Sequence, residues 1–149
     1  MTAVLSLGSN LGDRQAHLLA ALDVLGPTAV SPLYETDPVG GPEQGPYLNL
    51  VALADLDAEQ AWDRAQAAER AAGRRRDVRW GPRTLDVDVV VADGPVPPGL
   101  ELPHPRAAER AFVLVPWSDV DPAAVLPGAG PVAALLAGLD VSGVRRWAP

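Results

Sequence analysis

Asp86 and Asp88 stand two residues apart in an apolar run that reaches Val91, directly behind a segment crowded with arginine. The nineteen residues from Gly73 to Val91 hold five arginines, Arg74, Arg75, Arg76, Arg79 and Arg83. Guanidinium groups grip phosphate oxygens through paired N–H donors, and carboxylates bring hard divalent cations to the same oxygens. The chemistry indicated is that of a phosphate-handling enzyme. If Thr84 to Val91 is a strand, side chains alternate between its faces. Asp86 and Asp88 then share one face, while Leu85, Val87, Val89 and Val91 share the other, where they suit a surface covered by helices. At about 3.3 Å per residue the two acids stand roughly 6 to 7 Å apart at the backbone, close enough to converge on one or two cations. Plainer readings exist for each part. An Asp-x-Asp pair can be two solvated acids at a sheet edge, and Arg74, Arg75 and Arg76 follow a helix C-terminus, where cations favour the dipole.

Charge distribution separates these readings. The chain carries a net charge of −7, yet six of its twelve basic residues fall between Arg70 and Arg83. Local positive potential on an acidic protein fits a small anionic ligand better than a nucleic-acid backbone, which needs a broad basic face. Lysine is absent, so a Walker-type Gly-Lys-Ser/Thr loop is excluded and any triphosphate must be held by arginine and metal. A length of 149 residues suits a single domain, 1–149, with a full core. With no cysteine there are no disulfides, thiolate metal sites or cysteine nucleophiles. No apolar run approaches the roughly 18 residues of a membrane span, and the N-terminus lacks a basic, then apolar, leader pattern. The expectation is a cytoplasmic protein, a monomer, with neither membrane nor nucleic acid as partner.

The elements that must position these residues alternate along the chain. Ala3 to Leu7 reads as a strand; Asp13 is the N-cap of a helix ending at Gly26. Ala29 to Glu35 reads as a second strand near an edge, because Pro32 lacks a donor. Asp37 to Pro46, with three glycines and three prolines, is a long loop. Tyr47 to Leu56 is a third strand, and Asp57 with Gln60 resembles a capping box that opens a helix stopping at Gly73. The aspartate strand follows. This βαββαβ order predicts an α+β, ferredoxin-like antiparallel sheet with both helices on one face. From Pro103 onward come a short helical turn, an apolar run, and a helix starting at Pro131 as N1.

The segment RWGPRTLDVDVV resembles the signature of the 6-hydroxymethyl-7,8-dihydropterin pyrophosphokinases, folate-pathway enzymes that transfer pyrophosphate from ATP to a pterin alcohol and release AMP. Four more blocks are similar to that family in the same order: LSLGSNLGDR, YETDPVGGPEQGPYLN, ERAAGRRR and LPHPRAAERAFVLVP. The likeness runs from about Leu5 to about Trp117. It implies that the C-terminal third covers the sheet's second face, giving three layers, α/β/α.

By the same resemblance, Asp86 and Asp88 hold two Mg2+ ions against the triphosphate of ATP, the co-substrate. Arg74 and Arg83 clamp the phosphates, Arg76 assists, and Trp80 closes over both substrates. Gln66, Glu69, Val89, His104 and Arg110 match positions near the nucleotide. Thr36 and Val39 match positions whose backbone reads the pterin edge, and Tyr47 and Phe112 sandwich the ring. Asn49 shares a strand face with Tyr47 and offers an amide donor and acceptor to the pterin. Asp77, Gly99, Glu101 and Pro105 depart from the family pattern at nucleotide-side positions. Whether an aspartate or the metal site takes the proton of the attacking hydroxyl stays open. So do two rival classes, a metal-dependent nucleotidyl- or glycosyltransferase and an RNA-binding module on the same topology.

Overall fold

The computed structural model describes residues 2–38, 45–73 and 84–148. Strand β1 (Ala3–Ser9) leads into helix α1 (Arg14–Leu25). The Asp13 side chain accepts from the Ala16 amide at 3.1 Å, and Gly26, at φ 61°, closes the helix with its N–H on the Leu22 carbonyl. That left-handed conformation is cheap only for glycine, which is why the helix stops there. Leu18, Ala21 and Leu25, one helical face, are buried.

The single strand expected over Ala29 to Glu35 is two, β2 (Ala29–Val30) and β3 (Tyr34–Thr36), both paired with β4 (Tyr47–Ala54). Ser31 still exchanges a backbone bond with Val51, and its hydroxyl accepts the Val51 N–H as well. Pro32 then has no N–H to give, and the ladder breaks for three residues.

Helix α2 (Ala58–Ala71) opens on a complete capping box: the Asp57 carboxylate accepts from the Gln60 amide at 2.8 Å, and the Gln60 side chain accepts from the Asp57 amide at 3.0 Å. It buries an alanine stripe, Ala58, Ala61, Ala65 and Ala68, so its backbone rides close to the sheet. Strand β5 (Asp86–Val91) carries the two acids.

These strands form an antiparallel sheet in the order β5-β1-β4-β3, with β2 beside β3 on the same flank of β4. This is the ferredoxin-like α+β arrangement. Two clusters flank it. Leu5, Leu7, Leu48, Leu50, Val87 and Val89 meet α1 and α2, whereas Val4, Val51 and Val90 meet the C-terminal elements. The sheet is therefore covered on both faces, as the three-layer reading requires.

Four details differ from the sequence expectation. Val91 packs with the second cluster, not with Val87 and Val89, because the β1–β5 register jumps from Leu5 opposite Val89 to Val4 opposite Val91. The extra residue of that bulge ends the strict alternation. The apolar run after the short turn Ala107–Glu109 is helix α3 (Ala111–Val120), which presses Val113, Leu114 and Trp117 onto the sheet. Beyond it a two-strand ribbon of β6 (Val125–Leu126) and β7 (Gly130–Pro131) precedes α4 (Val132–Ala137), so Pro131 is the residue before the helix rather than its first. Strand β8 (Val144–Arg146) pairs with β3, which is thus not the sheet's edge. Among the described residues no helix is long and apolar enough to cross a membrane.

Candidate active site

Cross-strand register places the polar residues of the inner strands in rows on the α3 face. Gly8 of β1 pairs with Asp86 on one side and Asn49 on the other, and Asn49 pairs in turn with Tyr34. One row along, Ser6 pairs with Asp88 and Val51, and beyond Asn49 the pair Tyr47 and Thr36 closes the wall. Val87 and Val89 pack against α1 and α2, so Asp86 and Asp88 face the opposite way, together. With strands about 4.8 Å apart, Asp86 and Asn49 stand roughly 10 Å apart across Gly8.

The space above Gly8 is taken by the side chains of Asn49 and Tyr47. A Cβ on Gly8 would come within 2.5 Å of Asn49 Oδ1 and 3.3 Å of Tyr47 Cδ1. Asn49 is only 3% exposed, and its Nδ2 donates to the Thr36 hydroxyl, which is itself buried. A buried amide left without partners costs about 1 to 3 kcal/mol, so this bond fixes which way the amide points. Gly8 was not among the residues singled out from sequence. The sequence reading ends the strand at Leu7, whereas β1 runs to Ser9, and a glycine inside a strand marks a bulge or a close approach to the backbone.

The nucleotide-side positions gather along the outer edge of β5. Glu69 reaches across from α2, and its carboxylate accepts the Val87 N–H at 2.9 Å. His104 donates its backbone N–H to the Val90 carbonyl at 2.8 Å. Those two bonds satisfy an edge strand that would otherwise present bare backbone groups. Gln66 lies half-buried one helical turn before Glu69. Arg110, immediately before α3, brings Nη1 to 3.6 Å from Asp88 Oδ2 and lies over the Phe112 ring at 5.5 Å. The His104 side chain is held below the usual imidazole range by burial, opposed by Asp88 and helped by Arg110 and Arg106. Its Nδ1 accepts the Arg106 N–H at 3.2 Å, a bond that only the form unprotonated at Nδ1 can make.

Val89 packs its side chain, 2% exposed, into the α1/α2 core, facing away from the acids as the alternation predicts, which leaves its backbone to meet a ligand. Thr36, Tyr47 and Asn49 do come together, on the β3–β4 flank, and Asp88, Arg110, Phe112 and His104 come together on the β5 flank. Arg74, Arg76, Trp80, Arg83 and Val39 lie outside the described residues.

Among the described residues no three His, Asp, Glu or Cys side chains converge on one point. Two carboxylates on one face suit a cation that takes its remaining ligands from water and phosphate, as Mg2+ does.

The profile of the 7,8-dihydro-6-hydroxymethylpterin-pyrophosphokinase family matches residues 4–122. A 2-amino-4-hydroxy-6-hydroxymethyldihydropteridine pyrophosphokinase of Mycobacterium tuberculosis is 49% identical over 168 residues, covering 98% of this chain and 89% of the relative. The protein of that name from Bacillus subtilis is 39% identical over 128 residues, covering 79% and 77%. Among solved structures, the HPPK-DHPS of Plasmodium falciparum superposes with a TM-score of 0.58 at 14% identity, over 90% of this chain and 42% of that one, a likeness of fold. The chain belongs to the 7,8-dihydro-6-hydroxymethylpterin-pyrophosphokinase family.

Proposed function

We propose that the protein transfers pyrophosphate from ATP to the hydroxymethyl group of 6-hydroxymethyl-7,8-dihydropterin, releasing AMP, as a step of folate biosynthesis. Family membership supports the reaction. The observation that supports the mechanism is the row Asp86, Gly8, Asn49, which brings the strand of the two acids and the buried Asn49 amide to either side of one strand.

In this reading Asn49, oriented by Thr36, and the ring of Tyr47 hold the pterin over Gly8, with Phe112 facing it from α3. The hydroxymethyl arm then points toward β5. Gln66, Glu69, His104 and Arg110 receive the nucleotide along the β5 edge, and Arg74, Arg76 and Arg83 grip its phosphates, with Trp80 over both substrates. Asp86 and Asp88 are the residues that would hold magnesium, two ions in our reading, and the metal would supply positive charge to offset that of the phosphates. Arg110, 3.6 Å from Asp88, adds a guanidinium beside the place proposed for the phosphates.

Pyrophosphoryl transfer moves charge between oxygens and needs little covalent help, so placement of the two reactants accounts for most of the rate. The substrate oxygen takes the β-phosphorus while the α-phosphate oxygen keeps the electron pair and leaves as AMP. Acting on free ATP and a small pterin, the protein works as a monomer in the cytoplasm.

The test is product analysis with ATP, Mg2+ and the pterin alcohol. AMP and the pterin diphosphate in equal amounts are expected. Release of free pyrophosphate or ADP instead would move the protein to the nucleotidyl- or phosphoryl-transfer class.

A further inference from the structure

Strand β8 lies past residue 122, where the family match ends, yet it fastens β3 at every position. Arg145 pairs with Glu35 and Arg146 with Tyr34 across the ladder, the Asp37 N–H donates to the Gly143 carbonyl at 3.0 Å, and the Trp147 N–H to the Leu33 carbonyl at 3.0 Å. The side chains repeat the pattern on both faces. Arg146 lies over the Tyr34 ring at 5.5 Å and reaches Asp119 at 3.7 Å, while the Tyr34 hydroxyl donates to the same carboxylate. On the opposite face Arg145 Nη2 stands 3.1 Å from Asp37 and 3.6 Å from Glu35. Glu35 is shared: its second oxygen takes Arg14 Nη1 at 3.0 Å, and the same guanidinium nitrogen donates to the Pro46 carbonyl at 3.1 Å.

The result is one ionic chain, Asp37, Arg145, Glu35, Arg14, then the Pro46 carbonyl. Its links bracket Thr36 on both sides and end next to Tyr47. Thr36 and Tyr47 are cross-strand partners, and Thr36 holds the Asn49 amide. Without β8, β3 would be a three-residue strand paired with β4 alone, too short to fix a side chain well. None of Arg14, Glu35 or Arg145 has reason to touch a ligand, because Glu35 points to the face opposite Thr36.

We propose that Arg145, acting through Glu35 and Asp37, is a positioning residue for the pterin-binding wall, an inference that rests on the pyrophosphokinase reading. The C-terminal strand is then part of the substrate apparatus although no residue of it meets substrate. Because Glu35, Arg14 and Arg145 are all partly solvated, salt screens the chain. Binding of an uncharged pterin acquires an ionic-strength dependence that its own chemistry does not supply.

The experiment compares wild type with Arg145→Ala, Arg145→Lys and Glu35→Gln in the full chain. It measures the pterin dissociation constant by calorimetry, KM for each substrate, kcat, and melting temperature, at about 0.05 and 0.5 M salt. Expected is a rise of about fivefold in the pterin constant and KM for Arg145→Ala and Glu35→Gln, from two partly exposed ion pairs lost. Arg145→Lys recovers most of it, kcat and the KM for ATP stay within about twofold, and high salt moves wild type toward the variants. Glu35→Gln, isosteric, keeps the strand should Arg145→Ala fold poorly. Unchanged pterin binding in both variants, or constants for both substrates rising together with a falling melting temperature, overturns the inference and leaves the reaction standing. A wild type that neither binds the pterin nor forms AMP overturns the reaction and the inference with it.

Discussion

Replacing Gly8 by alanine puts one methyl group at the centre of the site, and the geometry says where it goes. The new Cβ would lie 2.5 Å from Asn49 Oδ1, well inside the roughly 3.5 Å at which a carbon contact is comfortable. Tyr47 Cδ1, at 3.3 Å, blocks a sideways escape. Asn49 cannot swing into solvent, since it is 3% exposed and tied to Thr36. Either the amide turns and abandons that bond or the strands part. Overpacking costs about 1 to 3 kcal/mol and an orphaned buried amide about the same, so a loss near 2 kcal/mol is expected, about thirtyfold in pterin affinity. Calorimetric titration with the pterin alcohol measures it directly, with the KM for ATP as internal control, since the nucleotide-side residues line the far edge of β5. Adding Asn49→Ala to Gly8→Ala removes the clash and returns the melting temperature toward wild type while affinity stays lost. If Gly8→Ala binds the pterin within about twofold of wild type, the ring does not lie over that strand position.

Asp88→Asn should lower magnesium-dependent turnover by about 100-fold or more, as loss of one transition-state contact does, with the fold intact. The Asp88–Arg110 pair is partly exposed at 3.6 Å and contributes only about 0 to 1 kcal/mol, so a large fall in melting temperature would speak against the assignment. His104, whose folded pKa is depressed chiefly by burial, favours the neutral form in the folded protein. Its contribution is therefore present above the ordinary value of 6.5 and lost as pH falls below it. Wild type should lose more melting temperature between about pH 7.5 and 5.5 than His104→Asn does, and equal slopes would remove the cause. Asp57→Ala breaks the capping box far from the acids and should cost about 0.5 to 2 kcal/mol in urea unfolding with kcat unchanged. A changed kcat would mean that α2, through Glu69 on Val87, transmits to the site.

What was legible in the sequence was what a few adjacent residues decide alone. Asp13, Gly26 and the Asp57–Gln60 pair set helix ends by bonds to neighbours three or four residues away, and all stand as read. Period two put Asp86 and Asp88 on one face, and β5 keeps that period until Val89. The misreadings came from distant partners. The bulge that turns Val91 depends on how β1 is met, and α3 shows little periodicity because most of Ala111–Val120 is apolar, Pro116 included. Gly8 gained meaning only from Asn49 and Tyr47, some forty residues away in sequence. Strand β8 is three residues with two arginines, which alone read as surface; Glu35 and Tyr34 give them a place.

The division of the site follows from where each kind of group can be placed at low cost. Asn49 and Thr36 are neutral, so burying them needs only mutual hydrogen bonds, and they sit on the inner strands beneath α3. Carboxylates cannot be buried so cheaply, and Asp86 and Asp88 are carried by the strand next to open edge, where Asp88 keeps 41% of its side chain exposed beside Arg110. On a chain of net charge −7 those acids repel a triphosphate unless cations stand between them, so the edge proposed to receive the nucleotide would need arginine and metal beside it. In the proposed reading the uncharged ring asks for none of that and takes the dry half. Gly8, with no side chain, lies between the two halves, paired with Asp86 on one side and Asn49 on the other.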